Sequence, residues 1–295
     1  MNASLGRILG SGPSNVSVDN FAERLDRVTR SVCSHYNRDK GHDDQTRQRH
    51  ALVVRGYNPR EEMNAAARML KDPEGLTATD SEWAVGSWWK PHLSLAFWAL
   101  TIIRSPAKSV RQLNPDDKTE LLALKADIDA DHKWGDLRAL IAGQTEWDAY
   151  ESKNDPKGQL KILFVKLLSL ADILCVTPSG SENDKDYREW KNREAKGIAV
   201  DEAANTNRAD LYCVWGNTLL PCFLAGDPKQ LPPAVLSAGV TDAEGNLFHR
   251  HVKDAKISAL VFYQASGVPT YLPPSRLAHE GHLSVVELDG IEILT

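Results

Sequence analysis

The sequence predicts an α/β fold in which a parallel β-sheet is flanked by helices. Short, mainly apolar segments that end in polar residues recur at 172–177, 196–201 and 222–227, with helical spacing between them. Strands that are apolar along most of their length are typical of a parallel sheet covered on both faces. Such sheets bind ligands at the carboxyl ends of their strands, so the polar residues there are the first candidates for a functional site.

Two further strands and one long helix are predicted before residue 58. Residues 5–15 indicate a short strand that runs into a turn, and the β-branched residues 51–56 indicate a second strand. Between them, apolar residues at helical spacing predict a helix from about Val16 to Tyr36, with Ser14 or Asn15 as its N-cap.

Residues 59–157 are predicted to form a mostly helical insertion. Helical spacing covers 60–71, 92–103 and 118–143, and proline and glycine residues separate these stretches. The segment is rich in tryptophan, and five of the eight in the chain lie between residues 83 and 134: Trp83, Trp88, Trp89, Trp98 and Trp134. Such residues either stack on the bases of a single strand or pack between helices, and packing is the more common case.

Composition and charge exclude several classes of protein. The 295 residues carry a formal net charge of −5, so nucleic-acid binding requires a local site rather than general attraction. Four cysteines form no CxxC pair, which argues against zinc and disulfides and favours the reducing cytoplasm or nucleus. No run of about eighteen apolar residues is present, so no membrane contact is expected.

Two carboxylates directly follow the apolar residues 197–200. At the end of a buried strand, Asp201 and Glu202 are suited to hold Mg²⁺ and to orient or deprotonate a water that attacks a γ-phosphate. An acidic pair of this kind is also common on solvated surfaces. Spacing alone gives the two interpretations about equal weight.

A second polar turn follows the next strand, where residues 226–233 are Gly-Asp-Pro-Lys-Gln-Leu-Pro-Pro. It offers a carboxylate at Asp227 and an amide at Gln230 beside the neighbouring acidic strand end. A proline-stabilised surface turn is the alternative, and it explains the prolines but not Asp, Lys and Gln together.

These segments resemble the conserved motifs of superfamily 1 DNA/RNA helicases, in the group that contains the nonsense-mediated-decay helicase. Residues 201–204 and 226–233 are similar to motifs II and III, residues 12–20 to motif Ia, and residues 176–181 more loosely to motif Ic. The resemblance implies a partial RecA-like, P-loop NTPase-type sheet formed by residues 1–58 and 158–272. It also implies that 59–157 are an insertion and that 273–295 are a divergent C-terminal tail.

The same resemblance implies roles for individual residues in binding ATP, Mg²⁺ and single-stranded RNA or DNA. Asp201 would bind the metal and Glu202 would serve as catalytic base. Gln230 would contact the γ-phosphate, supported by Asp227. The nucleic-acid backbone would be contacted by Ser14, Asn15 and Thr177.

The phosphate-binding loop of that family, G-x-x-x-x-G-K-[ST], does not occur in these 295 residues, which contain no Gly-Lys dipeptide. We therefore expect weak ATP binding and little hydrolysis by this chain alone, also because no second RecA domain is predicted. Two alternatives stay open. The chain is a non-catalytic scaffold that binds nucleic acid or a protein partner, or it is a truncated gene product.

Overall fold

A five-stranded parallel sheet forms the centre of the protein. The structure, a computed structural model, describes residues 6–41, 44–74, 91–107, 110–216, 218–235, 238–247, 249, 251–269, 286–288 and 291–293. The strands are β1 (Ile8–Ser11), β2 (Val53–Arg55), β3 (Ile173–Cys175), β4 (Gly197–Val200) and β5 (Cys222–Leu224). Their order across the sheet is β2-β3-β1-β4-β5 and every pairing is parallel, which confirms the predicted fold class.

Helices separate the strands along the chain. Those before β3 are α1 (Asn15–Tyr36), α2 (Pro59–Lys71), α3 (Leu95–Ile102), α4 (Thr119–Ala130), α5 (Gly135–Ile141), α6 (Trp147–Glu151) and α7 (Pro156–Leu170). Those after β3 are α8 (Pro178–Asn183), α9 (Lys185–Arg193), α10 (Arg208–Trp215), α11 (Val252–Ala255) and α12 (Ala259–Ala265). Among the described residues, no helix is long and apolar enough to cross a membrane.

The first strand and helix form as their sequence predicts. All four residues of β1 are buried, because the strand lies between β3 and β4. The turn after it ends at Ser14, whose hydroxyl accepts a hydrogen bond from Ser17 N at 3.1 Å and so caps α1. Val18 and Ala22 on the inner face of α1 pack in a core cluster with Val53 and Ile173 of the sheet.

The outer edge of β2 is covered by residues that precede and begin α3. The indole Nε1 of Trp98 donates to Val53 O at 3.1 Å, and Ser94 forms an isolated parallel bridge with Arg55. All three residues of β2 are buried as a result. Trp98 and Trp134 are each 2% exposed, so packing is confirmed for these two; Trp83, Trp88 and Trp89 lie outside the described residues.

The opposite edge strand, β5, is only partly covered. Within the described part of the chain it pairs with β4 alone. Phe223 is 45% exposed, whereas every residue of β1, β2, β3 and β4 is buried. The two edges of the sheet therefore differ in their exposure to solvent.

The helical stretch predicted over 118–143 is helical for most of its length, but the structure divides it at Asp131. This residue is extended (ψ 119°), and its side chain accepts from Lys133 N at 3.0 Å, which starts a 3₁₀ turn over His132–Trp134. An aspartate that bonds to the backbone two residues ahead competes with the helical hydrogen bond.

The chain divides into two compact units, Met1–Val261 and Phe262–Thr295. In the second unit, the described part of the predicted tail consists of the antiparallel strands β6 (Val286–Leu288) and β7 (Ile291–Ile293). The predicted limits of the helical insertion stay a prediction.

Candidate functional site

The predicted acidic pair lies at the carboxyl end of β4. Asp201 N donates to Ser11 O at 2.9 Å, and the Asp201 carboxylate accepts from Glu202 N at 3.1 Å. Glu202 has a left-handed backbone, with φ of 52°, which is uncommon outside glycine. Its Oε2 atom is buried without a hydrogen-bond partner in the described part of the protein. Strain and an unpaired carboxylate oxygen at one residue favour a functional role over a solvated surface.

The turn after β5 lies against the loop that carries this pair. Ala203 N donates to Ala225 O at 2.8 Å, and a Cβ atom on Gly226 would lie 2.8 Å from Ala204 N. Only glycine therefore allows this approach of the two backbones. The structure thus brings the segments of the predicted motifs II and III together.

Asp227 and Gln230 are both exposed in that turn. The Asp227 carboxylate accepts from Lys229 N at 2.9 Å, and Gln230 N donates to Asp227 O at 3.0 Å. The carboxylate therefore stabilises its own turn. The Gln230 side chain has no hydrogen bond among the described residues and is available to a ligand.

These residues fit a magnesium–nucleotide complex in one respect. Among the described residues, no group of three or more His, Cys, Asp or Glu side chains is placed to hold a metal ion. Mg²⁺ bound to a nucleotide takes one or two protein carboxylates and completes its octahedron with water and phosphate oxygens. Asp201 can supply such a carboxylate, and the unpaired oxygen of the neighbouring Glu202 can accept a hydrogen bond from a water molecule.

A polar cleft of about 390 Å³ opens at the carboxyl ends of β1, β2 and β3. Asn15 at the start of α1 lines it, together with residues 55–59 and 61 from the end of β2 to the first turn of α2. Thr177 and five further residues up to position 187 line it from the segment after β3. The structure therefore brings Asn15 and Thr177 into one cleft. Ser14 lies outside the lining, and its N–H and hydroxyl groups are both engaged with Ser17 in the cap of α1.

A buried arginine supports one wall of the cleft. Arg55 is 1% exposed, and its Nε donates to Asp19 Oδ1 at 2.6 Å. Its Nη1 donates to Gly56 O, and its Nη2 donates to Asn15 Oδ1 at 3.0 Å. The guanidinium lies 4.1 Å from the centre of the Tyr57 ring, whose hydroxyl donates to the same Asp19 oxygen at 3.1 Å.

The opposite wall is formed by residues after β3. Tyr187 is buried, and its hydroxyl donates to Tyr57 O at 2.8 Å; burial raises the pKa of this phenol well above its usual value. Its ring lies so close to Gly56 that a Cβ atom there would be 2.8 Å away. Thr177 is the N-cap of α8, and its hydroxyl oxygen accepts from Gly180 N at 3.3 Å.

Sequence reasoning missed Arg55, Asp19, Tyr57 and Tyr187. Two signals were present in the sequence. Arg55 follows two β-branched residues of a buried strand, and Asp19 lies next to Val18 on the apolar face of α1. A charged side chain on a buried face requires a partner of opposite charge, so each of these two residues indicates the presence of the other.

Two comparisons with known proteins identify relatives of this chain. A family model described as an AAA domain (AAA_11) matches residues 2–238. Helicase sen1 of Schizosaccharomyces pombe is 38% identical over 71 residues, which cover 24% of this chain and 4% of that helicase. The chain thus spans a small fraction of the length of this curated relative.

The parallel sheet and these two comparisons together show a partial RecA-like domain of the superfamily 1 helicase type. The chain belongs to the AAA-domain family, as a helicase-like member of the Sen1 and nonsense-mediated-decay type.

Proposed function

We propose that this chain binds single-stranded RNA or DNA in the cleft at the ends of β1, β2 and β3. The observation that carries the proposal is the convergence of Asn15 and Thr177, two predicted backbone contacts, on one polar cleft. Helix α1 also begins there, and the N–H groups at the start of a helix favour phosphate. The first turn of α2 offers no such group, because Pro59 has no N–H and the Asn58 side chain accepts from Arg60 N and Glu61 N.

The cleft contains few charges that would attract a polyanion. Among the described residues that line it, Arg55 is the one cation and is paired with Asp19, while Glu61 and Asp184 are acidic. Binding would therefore depend on neutral donors such as the Asn15 amide and the Thr177 hydroxyl. Each such contact contributes about 0.5–1.5 kcal/mol.

Replacing Asn15 tests this proposal most directly. Asn15→Ala should weaken binding of a fluorescein-labelled single-stranded oligonucleotide about three- to tenfold in fluorescence anisotropy, because one neutral hydrogen bond is lost. Both oligo-rU and oligo-dT are measured. Gln144→Ala is the matched control, since it removes an exposed amide in the loop after α5 and should leave the affinity unchanged.

Equal affinity of wild type and Asn15→Ala for both oligonucleotides would contradict nucleic-acid binding in the cleft. If wild type showed no binding at all, the scaffold role would become the better explanation. Capture of a protein partner by residues in the 59–157 segment of the full chain would then be the measurement to make.

We further infer that the β4 and β5 ends form one half of a site for ATP and Mg²⁺. Asp201 is the proposed metal ligand and Glu202 the residue that orients the attacking water, with Gln230 and Asp227 near the γ-phosphate. When bound, Mg²⁺ would neutralise phosphate charge. No backbone loop with a lysine of the G-x-x-x-x-G-K-[ST] type occurs in the sequence, so the grip on the triphosphate is weak.

Hydrolysis by this chain alone is accordingly expected to be negligible. A steady-state ATPase assay with Mg²⁺ and saturating single-stranded RNA or DNA should give the same background rate for wild type and Glu202→Gln. Robust turnover in wild type that is lost in Glu202→Gln would overturn this expectation. Circular dichroism of both proteins checks that the substitution leaves the fold intact.

A further inference from the structure

We propose that Arg55 is a positioning residue that fixes the side-chain amide of Asn15 with its NH₂ group facing the cleft. The inference rests on the proposed nucleic-acid function and deepens it, because it assigns the chemistry that the cleft selects. The ligand group opposite Asn15 must be a hydrogen-bond acceptor, such as a phosphate oxygen.

Arg55 is held rigidly before any ligand binds. Asp19 Oδ1 accepts from its Nε at 2.6 Å, the Gly56 carbonyl accepts from Nη1, and the Tyr57 ring lies 4.1 Å from the guanidinium carbon. The side chain is buried and so is its carboxylate partner, which is 4% exposed. A planar group that is bonded on two sides and stacked on a third has little freedom to rotate.

The remaining nitrogen, Nη2, faces Asn15 at 3.0 Å. A guanidinium has five donors and no acceptor, so the Asn15 atom opposite it is the carbonyl oxygen and not the nitrogen. The Nδ2 group is then directed away from Arg55. Asn15 is exposed and lines the cleft, and its NH₂ has no acceptor among the described residues.

The ligand does not contact the guanidinium charge of Arg55 directly. Asp19 neutralises it inside the protein, and three of its donor groups are already used. Arg55 therefore acts through Asn15, by keeping an otherwise free amide in the orientation that donates. If Arg55 has this positioning role, replacing it should lower the affinity for a single strand without changing the number of phosphate charges that the protein neutralises.

A double-mutant cycle tests this inference. Arg55→Lys keeps a positive charge beside Asp19 but cannot also reach Asn15, so it should lower affinity for a labelled single strand about as much as Asn15→Ala, roughly three- to tenfold. In the Asn15→Ala background, Arg55→Lys should cause no further loss. The slope of log Kd against log salt should stay that of wild type.

Additive losses, or a slope reduced by about one, would overturn the inference, because Arg55 would then contact phosphate itself. Asn15→Asp keeps the exposed position and leaves Arg55 intact, so it serves if Arg55→Lys does not fold. Its second carboxylate oxygen replaces the donor, and binding should be weaker than for Asn15→Ala. Affinity equal to wild type would also overturn the inference.

A measurement on the free protein separates this inference from the proposed function. The Asn15 side-chain NH₂ should show restricted motion in ¹⁵N relaxation of wild type and greater motion in Arg55→Lys. If the amide is rigid but no single strand binds, the proposed function fails and the positioning contact stands. A freely moving Asn15 amide in wild type would contradict the positioning contact, whatever the binding assay shows.

Discussion

Glu62 shows at the scale of one residue how the loop after β2 is fixed. Its carboxyl group is fully buried, and its two oxygens accept from Tyr57 N and Ala96 N, each at 2.9 Å. Burial raises the pKa of this carboxyl to about 7, although the two amides and the nearby Arg55 charge act in the opposite direction. One side chain thus ties the cleft-lining loop to the start of α3.

This raised pKa predicts a pH dependence of stability. The unfolded carboxyl ionises near pH 4.5, whereas the folded one keeps its proton to about pH 7, so its stabilising contribution is lost as the pH rises between those values. The difference corresponds to about 3 kcal/mol. Glu62→Gln cannot lose this contribution. The free energy of unfolding of Glu62→Gln minus that of wild type, measured in urea titrations, should therefore rise by about that amount between pH 4.5 and pH 8.

The matched control is Glu61→Gln, which changes an exposed carboxyl one position away on α2. Its pH profile should follow that of wild type. A Glu62→Gln profile parallel to wild type across this range would show that Glu62 ionises alike in the folded and unfolded chains.

At the scale of elements, the two edges of the sheet differ in how far other residues cover them. The outward carbonyl of Val53 on β2 is bonded by the Trp98 indole, and Arg111 lies over the same ring at 4.7 Å from its centre. Helix α3 also packs against α2 and α7. The residues predicted as part of an insertion therefore complete one side of the central core.

Trp98→Phe should destabilise the protein by about 2–3 kcal/mol, since it leaves a small cavity and an unpaired carbonyl at the sheet edge. Trp134→Phe, which removes a similar volume from another buried tryptophan, is the control and should cost less. The free energy of unfolding in denaturant measures both. Amide hydrogen exchange in β2 should accelerate in Trp98→Phe alone, and equal behaviour of the two variants would refute the edge contact.

Local sequence patterns predicted the elements whose causes are local. The strands β1 and β4 consist mainly of apolar residues and the N-cap of α1 is a serine, so the sequence predicted these elements. The division at Asp131 was missed, because a capping aspartate interrupts an otherwise helical pattern. The acidic pair Asp201 and Glu202 was also predicted from a local pattern, because it directly follows an apolar strand. Contacts between distant segments, such as Arg55 with Asn15, depend on the strand order, which periodicity does not encode.

At the scale of the whole molecule, the sheet has one closed side and one open side within the described residues. The backbone groups of Phe223 and Ala225 face β4, so the N–H and C=O groups of Cys222 and Leu224 point outward. The adjoining turns expose Leu219 and Leu231 almost completely, at 101% and 82%.

An apolar strand with free pairing groups is a template for another strand. A further strand would therefore pair with the sheet at its β5 edge. A strand added there would lie next to the turn that carries Asp227 and Gln230. At high concentration the same edge favours pairing between copies of the chain, as an uncovered edge strand does in general.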